Sequence, residues 1–277
     1  RFELTITALA PHLKIIAPWR IWDIKSREDA IDYCIKNDIK LNMKKDSSYS
    51  RDKNLWHLSH EGLELENPSM EPDLGKILQM SNTVEQAPDK SEYIKLDFEK
   101  GNLTAINDEK MKGSDLIKKL NAIGGKHGIG VIDLIENRVV GMKSRGIYET
   151  PGGTILCKAH QELEHLCLDK ETYSFKQTVA TKFSELLYNG QWYTPLREAL
   201  SAFVDQTQEV ITGTVTFKLY KGNVILAGIE SDYSLYNEEI SSFDTGELYN
   251  HKDAEGFIKL FGLPLKVRAL MKEKNKQ

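Results

Sequence analysis

The apolar positions of this chain repeat with two periods. Leu13-Lys14-Ile15-Ile16-Ala17 is a short apolar run closed by Pro18 and Trp19, the pattern expected of a buried parallel strand. Ser26 then precedes a stretch whose Ala30, Ile31, Cys34 and Ile35 share one helical face. Residues 1–43 therefore read helix, strand, helix, the end of an α/β domain. From about Leu41 to Lys90 the periodicity weakens, and Pro68, Pro72 and Pro88 among polar residues predict a long surface excursion. Two hairpins follow one rule. Ile94, Leu96 and Phe98 alternate before Lys100-Gly101-Asn102, with Leu103 and Ala105 returning; Val215, Phe217 and Leu219 alternate before Lys221-Gly222-Asn223, with Val224, Leu226 and Gly228 returning. Gly and Asn are expected to supply the positive φ of both turns. Ser114 is placed to cap a helix with Leu116, Leu120 and Ile123 on one stripe, stopped by Gly124-Gly125. Thr194-Pro195 starts another, with Leu196, Leu200, Phe203 and Val204 inward. These strands and helices predict an α+β domain. Beyond Gly262, Leu263, Val267, Leu270 and Met271 line one face of a last helix.

Composition narrows the class. The chain has 277 residues, 40% hydrophobic and 28% charged, with a net charge of −4 spread over both signs. That balance suits a soluble globular protein and gives no field to recruit nucleic acid or an anionic membrane. Cys34, Cys157 and Cys167 are odd in number and lack Cys-x-x-Cys spacing, which argues for a reduced, cytoplasmic protein without a disulfide framework or zinc ribbon. No run is long enough to span a bilayer, and Arg1-Phe2-Glu3-Leu4 is no signal peptide. The chain opens without Met inside helix-like sequence, as a chain cut within a domain or a processed one would.

Candidate chemistry is densest in GKHGIGVIDLIENRVVGMKSRGIYETPGGTIL, residues 125–156. Glu136, Arg138, Lys143, Arg145, Tyr148 and Glu149 crowd one short stretch, and Pro151-Gly152-Gly153 before a helix at Thr154 is able to aim backbone N–H groups at an anion. A strand edge with surface ion pairs and a glycine turn explains the same residues, and the glycine spacing matches no standard nucleotide loop. His160 and His165 with Glu162 and Glu164 suggest a metal helix, but five-residue spacing turns the imidazoles apart and favours a surface helix. Ser50, His57 and Ser59 invite a hydrolase triad without the glycines of a nucleophile elbow. His127 reads as a loop donor, Cys157 and Cys167 as core residues. The aromatics are too scattered for a base-stacking platform.

The string IENRVVGMKSRGIYETPGGTIL resembles the signature of the argininosuccinate synthase family. RFELTITALAP, KIIAPWR, NLWHLSHEG, LENP, GKHGIG, SLYNEE and DAEGFI are similar too, in the family's order over essentially all 277 residues. The resemblance implies an ATP-dependent ligase of arginine biosynthesis and the urea cycle. It joins L-citrulline to L-aspartate through a citrullyl-adenylate, releasing AMP and pyrophosphate, with ATP as co-substrate and Mg2+ as companion. By resemblance Arg1, Ser50, Ser59, Glu136 and Tyr148 contact citrulline, no protein metal ligand is implied, and the catalytic residues stay unassigned. The implied fold is an α/β remnant of a nucleotide-binding (adenine nucleotide alpha-hydrolase-like) domain over 1–43, a synthetase domain over 44–255 and a C-terminal oligomerisation tail over 256–277. The family's tetramers imply a homotetramer. Its Ser-Gly-Gly-x-Asp-Ser/Thr loop for ATP is not among these residues. The expectation is therefore a chain inactive by itself; an oligomerisation or binding fragment is the alternative.

Overall fold

The computed structural model describes residues 1–41, 49–241 and 250–276, which divide into two compact units, Arg1–Tyr233 and Ser234–Gln277. In the first unit the order is α1 (Phe2–Leu9), α2 (Arg27–Lys36), β1 (Ser50–Lys53), β2 (Leu58–Glu61), α3 (Leu74–Ile77), β3 (Glu92–Glu99), β4 (Asn102–Ile106), β5 (Glu109–Lys110) and α4 (Gly113–Lys126). It continues with β6 (Val131–Asn137), β7 (Lys143–Glu149), α5 (Pro151–Cys167), α6 (Lys170–Tyr188), α7 (Pro195–Gln208), β8 (Gly213–Tyr220) and β9 (Asn223–Glu230). The strands form two antiparallel sheets, ordered β1-β2-β7-β6 and β5-β4-β3-β8-β9, so the fold is mixed α and β.

The five-stranded sheet and α5 hold the main core. Ile94, Leu96 and Phe98 of β3 and Val215, Phe217 and Leu219 of β8 point to one face and are buried, as their alternation predicts. Ile155, Ala159, Leu163 and Cys167, four residues apart on α5, pack on that layer with Leu116 and Leu120 of α4. Both hairpin turns sit one residue earlier than expected. Lys100 and Gly101 have φ of 47° and 76°, Lys221 and Gly222 42° and 78°, while each Asn already starts the returning strand. A two-residue turn matching the strands' twist needs positive φ at both central positions, and Lys takes the first.

Several expectations are corrected. Leu13–Ala17 joins no sheet among the described residues, and Leu13 and Ile16 are 56% and 71% exposed. A parallel strand exists only beside a partner ladder, which no local pattern supplies. Ser26 caps α2 in a reciprocal box with Asp29, as read, but only Ile31 of its apolar face is buried, and Ile35 is exposed. The excursion at 41–90 contains β1, β2 and α3, whose short charged strands conceal their alternation; residues 42–48 lie outside the described ones.

Lys112, not Ser114, is the N-cap of α4. Gly124 and Gly125 lie inside that helix rather than stopping it. A Cβ on Gly125 would fall 2.1 Å from the Met80 carbonyl oxygen, so the glycines permit close approach, and the chain turns off at Gly128 with φ of 70°. Helix α5 begins at Pro151 and is no surface helix: Glu164 is buried and bonds Lys176 at 2.5 Å. Cys157 is exposed although Cys167 is buried. Thr194 caps α7 through the Arg197 N–H, but Leu196 is exposed and Thr207 is the buried position.

The second unit contains α8 (Glu238–Ser241), α9 (His251–Phe261) and α10 (Leu263–Lys274). Asn250 caps α9, Gly262 joins it to α10, and Phe257 stacks on Phe261 at 5.2 Å. Neither helix buries a residue; Leu263, Val267, Leu270 and Met271 are all exposed. Among the described residues no helix is long and apolar enough to cross a membrane.

Candidate functional site

The four-stranded sheet turns one face inward. Leu58 and His60 of β2 and Ile147 and Glu149 of β7 are buried beneath it. The residues between them face the other way. Asp52 pairs with Ser59, Ser59 with Tyr148, Tyr148 with Ile132, and Ser144 with Glu136. Because side chains alternate along strands and registered partners share a face, Ser50, Ser59, Tyr148 and Glu136 all lie on one side of the sheet.

That side floors a cleft of about 1000 Å³ lined by Arg1, Ser59, Glu136 and Tyr148 together with Asp52, His57, Glu61, Arg138 and Tyr188. Four of the five residues singled out from the sequence thus meet in one cavity. Ser50 shares the face but lies outside the lining. Arg1 arrives from the start of α1, with its guanidinium 5.7 Å from the centroid of the Tyr188 ring at the end of α6. The Tyr188 hydroxyl donates to the Asn137 carbonyl at 3.2 Å, tying α6 to the end of β6.

The cleft lining carries three acids, Asp52, Glu61 and Glu136, and three bases, Arg1, Lys53 and Arg138. Glu61 pairs with Arg138 at 3.0 Å, and Arg138 also donates to Ser144 Oγ at 3.1 Å. Ser144 donates in turn to Glu136 Oε1 at 3.3 Å. Among the described residues no cation pairs with Glu136, which leaves its charge for a ligand. Burial raises the Tyr148 phenol above the ordinary tyrosine range, and the charges of Glu136 and Glu61 push in the same direction. Tyr148 therefore stays a neutral hydroxyl, a donor as well as an acceptor.

The turn between β1 and β2 is held from behind. Trp56 lies against Gly153, where a Cβ would come within 2.8 Å of its ring, and Asn121 Nδ2 donates to the Leu55 carbonyl at 2.9 Å. Asn121 Oδ1 takes the Gly152 N–H at 2.9 Å, so this N–H seats the turn instead of reaching an anion. The Pro-Gly-Gly stretch is a packing seat. His57, set by the turn it carries, bonds Asn54 at Nδ1 rather than either serine, which removes the hydrolase reading. Its ring lies 6.2 Å from that of Tyr148.

His127 is fully buried and meets Glu92 at 3.0 Å, away from the cleft. Sequence reasoning missed Asp52, Glu61 and Tyr188 as lining residues. Strand parity would have recovered Asp52 and Glu61 once β1 and β2 were recognised; Tyr188, on a distant helix, carries no local signal.

Residues 49–268 match the model of the Arginosuccinate synthase C-terminal domain. The chain is 61% identical over 277 residues to an argininosuccinate synthase of Brachyspira hyodysenteriae, covering all of this chain and 68% of the relative. It is 63% identical over 276 residues to that of Acetivibrio thermocellus, again covering 68% of the relative. Against that of Clostridium perfringens it is 61% identical over 274 residues, 99% of this chain and 68% of the relative.

Proposed function

The chain belongs to the argininosuccinate synthase family, and we propose that its cleft binds L-citrulline for ATP-dependent condensation with L-aspartate to argininosuccinate, AMP and pyrophosphate. The observation that carries this reading is the convergence of Arg1, Ser59, Glu136 and Tyr148 on one cavity from three separate parts of the chain.

The chemistry demands such a site. Nitrogen lone pairs feed citrulline's ureido carbon and make it a poor electrophile. Attack of the ureido oxygen on the α-phosphorus of ATP expels pyrophosphate and turns that oxygen into part of a good leaving group; the aspartate amine then displaces AMP. The protein's task is to position the reactants and meet their charges. Glu136, without a cation of its own, takes the α-ammonium. Arg1 takes a carboxylate, bidentately. Ser59 and the neutral Tyr148 bond the remaining polar atoms, and Ser50 extends that row on the same sheet face.

No group of three or more carboxylate, imidazole or thiolate side chains is placed to hold a metal among the described residues; magnesium would come with ATP and offset its phosphate charge. Residues 1–43 serve as the end of a nucleotide-binding domain, 44–255 as the synthetase domain and 256–277 as a tail that joins a homotetramer in the cytoplasm. The exposed apolar stripe of α10 supports the last assignment, since so short a helix is marginal alone in water. The test is AMP and argininosuccinate release by the protein at its relatives' full length. AMP formation independent of citrulline would overturn the reading.

A further inference from the structure

His57 has a fixed tautomer. Asn54 Oδ1 accepts the backbone N–H groups of Trp56 at 2.7 Å and His57 at 3.0 Å, which settles the orientation of the amide. Its Nδ2, a donor only, therefore faces His57 Nδ1 at 3.1 Å, and Nδ1 must accept. In the neutral imidazole the proton then sits on Nε2. The Asn54 N–H also bonds the His57 carbonyl at 3.0 Å, and Trp56 is wedged on Gly153, so the imidazole is held at both ends of its turn. No group among the described residues accepts the Nε2–H. A preorganised donor without a protein partner, in the wall of a cleft, is placed for a ligand.

We infer that His57 donates a hydrogen bond from Nε2 to the ureido oxygen of citrulline. The inference rests on the ligase reading above. Asp52, Glu61 and Glu136 are balanced in this cavity by Arg1, Lys53 and Arg138, so the lining adds no net charge, and a single neutral donor suits a neutral carbonyl-type oxygen. A carbonyl oxygen has two lone pairs; a neutral donor holds one and leaves the other for phosphorus. An imidazolium would keep its proton but draw more electron density from the oxygen and weaken the nucleophile. Asn54 is the positioning residue that holds the ring through Nδ1 and leaves Nε2 toward the cleft.

Three substitutions in the full-length protein test this. His57→Gln places an amide N–H near Nε2, His57→Asn reaches only the Nδ1 position, and His57→Phe keeps the ring contact with Tyr148 but no donor. In His57→Phe and His57→Asn, kcat/KM for citrulline should fall about 10- to 100-fold, the loss of one bond plus misorientation. His57→Gln should recover most of it, and the KM for ATP should stay put. Equal activity of Phe and Gln makes the ring mere packing; Gln as poor as Phe excludes an Nε2 donor; a shift in the ATP constant alone reassigns the donor to phosphate. Each of these overturns the inference. Calorimetric citrulline binding across the series reads the donor without turnover. A wild type that binds citrulline but never ligates it would thus sink the ligase reading while still testing His57.

Discussion

His60 Nε2 and Glu149 Oε1 lie 2.7 Å apart, both side chains fully buried beneath Ser59 and Tyr148. Arg51 donates to His60 Nδ1 at 3.0 Å, so the imidazole proton sits on Nε2 and points at the carboxylate. Glu149 also accepts the N–H groups of Gln79 at 2.9 Å and of Met80 and Ser81 at 2.7 Å. One carboxylate with four donors fastens β2, β7 and the 79–81 segment under the cleft floor.

Replacing that carboxylate should be costly. In Glu149→Gln one oxygen becomes an NH2 facing donors, leaving a buried N–H unpaired. The expected loss is about 2–4 kcal/mol of unfolding free energy. Urea denaturation should show a lower midpoint at unchanged slope. A midpoint equal to wild type would mean that the four contacts are not holding the sheet.

Glu136→Gln keeps the shape of the side chain and removes its charge. A charged hydrogen bond is worth roughly 1.5–3 kcal/mol, so citrulline affinity should drop about 10- to 150-fold with that for ATP little changed. Steady-state kinetics in full-length protein give both constants. An unaltered citrulline constant rejects Glu136 as the ammonium partner.

Tyr148 links the cleft to alkaline pH. Its folded pKa is raised by burial and then by Glu136 and Glu61, so the folded state keeps a proton that the unfolded chain releases near pH 10. Its contribution to stability is therefore complete below that value and is lost as pH rises above it. Absorbance of tyrosinate should show this residue titrating late, and earlier in Glu136→Gln. No difference between the two proteins would remove the carboxylate as a cause.

Gly153→Ala puts a methyl group against Trp56 and 2.7 Å from Thr150 Cγ2. Overpacking of this kind costs about 1–3 kcal/mol. The tryptophan emission should shift as the ring is pushed off its seat, and citrulline binding should weaken as His57 moves with the turn. An unshifted spectrum with normal binding would show that the seat yields freely.

Deleting residues 262–277 removes α10 and its exposed Leu263, Val267, Leu270 and Met271. If this stripe clasps other subunits, light scattering should give a mass below that of a tetramer at micromolar concentration. A tetramer that survives the deletion rules the clasp out.

Hairpins, the Ser26 and Thr194 caps and the family itself were written in local order along the chain. Turn chemistry, capping and strings of neighbouring residues act over a few positions, and the segment 125–156 carries its crowding openly. The sequence alone also named four residues of the cleft. What it did not contain was the reason they meet. Glycines 124, 125, 152 and 153 read as stops or an anion loop, yet their meaning lies in Met80, Pro151, Asn121 and Trp56, partners brought up by tertiary packing. Asp52 and Glu61 reach the cleft through the parity of two paired strands, and Tyr188 through the end of a helix forty residues beyond Tyr148. Leu13–Ala17 shows the reverse: an apolar run is a strand only where a neighbouring ladder accepts its backbone. Short-range energies are printed in residue order, whereas close approach, burial and register depend on segments that the chain keeps far apart until it folds.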